Sequence, residues 1–104
     1  MTPEAMEKVK SVFEATLYER YAGELVFDPV IVKRDVDFYG DDYVRVLLVV
    51  NGNTNLLDPE WNVGLITRVR NQLDSIGIQE FPSPYFIDSQ EYQSYLRRGK
   101  VDSL

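Results

Sequence analysis

The chain contains no cysteine and no histidine, and each absence removes a kind of chemistry. Without thiols there is no disulfide, no thiolate zinc site and no cysteine nucleophile. Without imidazole there is no histidine base near neutral pH and no histidine-ligated metal. Carboxylates, lysine and tyrosine are left as the groups able to catalyse, so the composition leans away from an enzyme and calls for no cofactor. No apolar run approaches the ~20 residues that span a bilayer. The opening MTPEAMEKVK lacks the basic-then-apolar pattern of a secretory leader. A cytoplasmic location with no membrane contact is the expectation.

What is present is the make-up of a small globular domain: 104 residues, 44% apolar and 27% charged. That length fits one domain, 1–104, which buries roughly 65% of its unfolded surface without a metal or disulfide. The net charge of −6 is unevenly spread. Residues 24–60 hold eight acids against Lys33, Arg34 and Arg45, while residues 61–104 balance five acids with five bases. An acidic middle repels nucleic acid and favours a basic protein partner or a cation.

Hydropathy patterning gives an element order. Thr2-Pro3-Glu4 is a helix start: a capping hydroxyl, proline in the first turn, and an acid near the positive end of the dipole. Met6, Val9, Phe13, Leu17 and Tyr21 then recur at helical spacing, and Gly23 offers a stop. After a break at Asp28-Pro29, period-two alternation assigns Val30, Val32, Val36 and Phe38 to one strand face. Tyr43 to Val50 is a second, more apolar strand, joined to the first by a hairpin at Gly40. Asp58-Pro59-Glu60 opens a second helix, striped by Leu65 or Ile66, Val69, Leu73 and Ile76 and closed by Gly77 and Ile78. Pro82 and Pro84 stiffen the approach to a short edge strand, Tyr85-Phe86-Ile87. Asp88 and Glu91 open a last helix toward Gly99, leaving a frayed tail. The pattern predicts an α+β fold of order α-β-β-α-β-α: an antiparallel hairpin and a third strand in a mixed sheet, with two main helices on one face.

The hairpin tip holds the densest acidic group: Asp35, Asp37, Asp41 and Asp42. Tyr39-Gly40-Asp41-Asp42 resembles, in those four residues, the metal-binding hairpin of RNA-templated polymerases. That resemblance implies paired aspartates holding divalent ions, on a scaffold far longer than this chain. Asp35 and Asp37, two apart on a strand that follows a helix, are also similar to the metal-binding strand of small nucleotidyltransferases. That family implies a Gly-Ser turn before the strand and a third carboxylate on a neighbouring strand; here the turn is Tyr21-Ala22-Gly23-Glu24, and the second strand, read as Tyr43 to Val50, offers no acid. A divalent ion on Asp35, Asp37, Asp41 and Asp42 is the metal expectation, since such ions prefer carboxylate oxygens. The competing expectation is a plain turn, because Asp beside Gly bonds nearby amides and glycine takes positive φ.

The C-terminal third clusters Tyr85, Phe86, Tyr92 and Tyr95 with Arg97 and Arg98, the residue types favoured in interface cores. The alternative for Phe86, Tyr92 and Leu96 is closure of the core. Trp61, at the first turn of the second helix, either packs over the helix entry or anchors a partner. The expected function is a non-enzymatic interaction or accessory module, antitoxin-like or inhibitor-like, that binds a basic protein, with homodimerisation through the edge of the third strand as its simplest variant. A cation-dependent nucleotidyltransferase-like protein using Asp35 and Asp37 is the other expectation.

Overall fold

In a computed structural model describing residues 1–104, the chain folds in the expected α-β-β-α-β-α order. Helix α1 runs from Pro3 to Tyr21, and the Thr2 hydroxyl caps it by accepting from the Ala5 amide at 3.1 Å. Its stripe of Val9, Phe13, Leu17 and Tyr21 is fully buried. The helix ends at Tyr21, where Ala22 caps it in the left-handed conformation, φ 46, and Gly23 follows at φ 85 as the stop.

Strands β1 (Val26–Val36) and β2 (Asp42–Asn51) pair antiparallel, and β3 (Phe81–Asp88) lies parallel to β2, which is therefore central. Several strand limits differ from expectation. Asp28-Pro29 does not precede β1 but sits inside it, at an irregularity of register between Phe27 and Val30. The side-chain amide of Asn51 donates to the Asp28 carbonyl at 2.8 Å, binding the irregular stretch to the ladder. Strand β3 begins at Phe81 and runs through both prolines. Pro82 and Pro84 are two apart, so both can turn their missing N–H to the free edge while Ser83, Tyr85 and Ile87 serve the ladder. That outer edge consequently lacks two donors for pairing with another strand.

The second helix of the sequence pattern is two pieces, α2 (Pro59–Val63) and α3 (Leu65–Ser75), separated at Gly64. Its end is as expected: Gly77 adopts φ 82, and the Ile78 amide returns to the Leu73 carbonyl at 2.9 Å. Helix α4 (Ser89–Arg97) is capped by Asp88, which accepts from the Gln90 amide at 2.8 Å.

Alternation sorts the sheet into two faces. Val44, Val46, Leu48 and Val50 of β2 face α1 and α3 and form the main core with Phe13, Leu17, Leu65, Val69 and Leu73. Each such side chain withdrawn from water contributes about 1.5–3 kcal/mol. The buried Thr16 hydroxyl accepts from Gln72 Nε2 at 2.9 Å and joins α1 to α3. On the opposite face Val49, Ile87 and Tyr92 form a smaller cluster under α4. Residues 101–103 make a short 3-10 turn that lays Val101 and Leu104 on this face, where the sequence pattern implies a frayed end. No helix is long and apolar enough to cross a membrane.

Candidate functional site

The hairpin tip is built by Asp37. Strand β1 ends at Val36, so Asp37 does not continue the strand face of Asp35 as the alternation implies. Its Oδ1 instead accepts from the amides of Tyr39 and Asp41, both at 2.9 Å. Its backbone closes the same loop: the Asp37 amide donates to the Asp41 carbonyl at 2.9 Å, and the Gly40 amide to the Asp37 carbonyl at 3.0 Å. Gly40 takes φ 84, which a side chain would strain. Tyr39-Gly40-Asp41-Asp42 is therefore a turn held by its own first aspartate.

That closure pushes two aromatic rings outward. Phe38 is 96% exposed and Tyr39 86% exposed. The two rings meet edge to face, centroids 5.6 Å apart at 89°, a preferred aromatic geometry. The alternation that placed Phe38 on one strand face with Val30, Val32 and Val36 fails here because the strand ends at Val36. Asp37, Asp41 and Asp42 flank the pair along the chain and are exposed.

Asp35 belongs to the sheet. Its Oδ1 accepts from the Val36 amide at 2.8 Å, while Oδ2 lies 3.3 Å from the Tyr43 hydroxyl, which donates, and 3.4 Å from Arg45 Nη1. The Val36 amide above all, then Tyr43 and Arg45, hold its carboxyl below the ordinary range. Partial burial, together with the neighbouring Asp35 charge, raises the Tyr43 hydroxyl above its usual value. The four acids of the metal expectation have different tasks, and only Asp35 and Asp42, the first residue of β2, share a surface depression. Asp35 serves Tyr43 and Arg45, Asp37 serves the loop amides, and no three acids in the molecule converge as a metal-binding group.

The C-terminal candidates divide as well. Phe86 faces the main core and meets Phe27 edge-on at 6.0 Å. Tyr92 is buried in the smaller cluster. Tyr85, opposite Leu47 on β2, remains 54% exposed on the second face. Tyr95 is half-buried beneath the Arg98 guanidinium, 4.9 Å from its ring centre, and Arg97 is exposed. Core closure therefore accounts for Phe86 and Tyr92, and Tyr85, Tyr95, Arg97 and Arg98 stay accessible. Trp61 packs: it meets Tyr21 edge-on at 5.7 Å and lies under the Arg68 guanidinium at 5.5 Å.

One cluster escaped the sequence pattern. The buried Tyr21 hydroxyl donates to Asn62 Oδ1 at 2.8 Å and accepts from the Asp58 amide at 3.0 Å. Asp58 caps α2 by accepting from the Trp61 amide and pairs with Arg20 Nη2 at 2.9 Å. The Arg20 hydrogen bond, first among several causes, holds the Asp58 carboxyl below its ordinary range and raises the Arg20 guanidinium further. These contacts fix the end of α1 to the start of α2, and every polar group in them has a structural task.

The chain matches no known family model, no curated protein and no solved structure. Any reading of function rests on the surfaces themselves.

Proposed function

We propose that the chain is a non-catalytic interaction module, an accessory or inhibitor subunit that binds a basic protein through its hairpin tip. One observation carries the reading: Phe38 and Tyr39 stand almost wholly in water on a loop held by four hydrogen bonds. Large exposed aromatics are the residues that anchor interfaces when a partner supplies a pocket. Here the loop is already ordered, so docking forfeits little conformational freedom. Asp37, Asp41 and Asp42, flanking the rings along the chain, select a pocket rimmed by lysine or arginine, and they speed encounter at low salt. The anchors differ from the tyrosines and arginines of the C-terminal third, but the acidic middle of the chain keeps the role its charge implied. No observation favours the nucleotidyl-transfer alternative, because Asp35 and Asp37 do not share a site with a third carboxylate.

Both rings lie outside the core, so Phe38→Ala with Tyr39→Ala leaves the fold intact and removes the anchor. Tagged wild-type protein should capture one stoichiometric partner from lysate of the source cells at low salt and release it at moderate salt. The double variant should capture none of it. Equal capture by both proteins would refute the assignment of the tip.

A further inference from the structure

The second sheet face carries a groove that the hairpin tip does not use. Its floor is Ile31 and Leu47, cross-strand partners on β1 and β2, and Tyr85 and Tyr95 flank it. It encloses about 400 Å³, within the range of small-molecule sites. Lys33 and Arg45 also line it, and they stand directly opposite each other across the β1–β2 ladder. Like charges in that relation repel. Their partners within the chain are loose: Asp35 lies 3.4 Å from Arg45, and Asp102 lies 3.6 Å from Lys33 with its own side chain wholly exposed. On a chain of net charge −6, two adjacent cations over an apolar floor complement an anion with an apolar body. We infer that this groove binds small amphipathic monocarboxylates, with the carboxylate between Lys33 and Arg45 and the apolar body along Ile31 and Leu47.

The C-terminal turn presents the same chemistry to the same residues. Val101 and Leu104 pack with the cluster that includes Ile31 and Leu47, Leu104 lines the groove, and the Asp102 carboxylate reaches Lys33. The tail is thus an internal competitor, a carboxylate flanked by apolar side chains. An external carboxylate displaces Asp102 from Lys33, whereas a neutral ligand of equal length gains only the apolar contact.

The test titrates decanoate and decanol into the full-length chain and follows amide shifts by NMR. Decanoate should bind saturably and shift Ile31, Lys33, Arg45 and Leu47, with decanol at least about tenfold weaker, the loss of charge-assisted contacts to two partly exposed cations. Asp102→Asn should tighten decanoate binding, and Lys33→Met or Arg45→Met should erase its advantage over decanol. Both cations are partly exposed, so dispersed amide spectra will show whether the variants fold, and the Asp102→Asn result stands without them. Equal affinity for the two ligands, shifts scattered over the whole surface, or no tightening in Asp102→Asn would overturn the inference. Binding of an acidic peptide at these residues with none of decanoate would overturn it too, and make the groove a protein contact.

Discussion

Tyr21→Phe removes one oxygen from the joint between α1 and α2 and leaves its ring in place. The ring keeps its contacts with Phe27 at 5.5 Å and Trp61 at 5.7 Å, so no cavity term arises. What is lost is the donation to Asn62 at 2.8 Å and the acceptance from the Asp58 amide at 3.0 Å, both partly buried. A net hydrogen bond is worth about 1 kcal/mol, and leaving a partner unsatisfied adds to that, so a cost of about 1.5 kcal/mol is expected. With a urea slope of about 1.5 kcal/mol per molar, the unfolding midpoint should fall by about 1 M at constant slope. Trp61 is the only tryptophan and sits at the joint, so its fluorescence follows the transition. Asn62→Ala alone should cost less, and the double variant less than the sum, because both changes delete the same bond. An unchanged midpoint in Tyr21→Phe would show that the hydroxyl is not what joins the helices.

Acid should weaken the fold through Asp58 and Asp35, whose carboxyls are held low chiefly by Arg20 and by the Val36 amide respectively. A folded-state pKa below the unfolded one gives stability that is full above about pH 4 and is lost as pH falls through the folded value. The melting temperature should therefore drop in acid, and Asp58→Asn should flatten that drop. Asp37→Ala deletes the acceptor for the Tyr39 and Asp41 amides, so amide exchange should accelerate at residues 38–41 while β2 keeps its protection; uniform acceleration would mean that Asp37 supports more than the tip. Gly40→Ala meets no atom within 4 Å but must adopt φ 84, and should cost about 1 kcal/mol in a urea titration.

Local chemistry made much of this fold legible. The Thr2 and Asp58 caps, the stripe from Val9 to Tyr21 and the Gly77-Ile78 ending are all decided within a few residues, where sequence and backbone geometry correspond closely. The differences arise where distant partners decide. Strand β3 extends back to Phe81 because β2 offers a parallel ladder as far as Tyr43, and a propensity reading that sees two prolines stops short. Asp28-Pro29 is absorbed into β1 because Asn51 holds its carbonyl. The tip was legible as a turn but not as a surface. Phe38 continues the period-two pattern, and the strand ends before it where the side chain and backbone of Asp37 bond the loop residues Tyr39, Gly40 and Asp41. A signal was nonetheless present, since two aromatics immediately before a glycine turn, with acids on both sides, have no core within reach. The groove was scattered in sequence: its cations meet only through β1–β2 register, and Leu104 arrives from the far end of the chain.

The most direct test of the tip as the contact surface is site-specific photo-crosslinking in the source cells. A benzophenone amino acid is placed at Phe38 and, as a control, at Val63, which is 81% exposed on α2. The expected result is one discrete crosslinked species from position 38, absent from position 63, whose partner contacts the tip through a lysine- or arginine-rimmed apolar pocket. The same pattern of weak, scattered products from both positions would contradict a docking role for Phe38 and Tyr39.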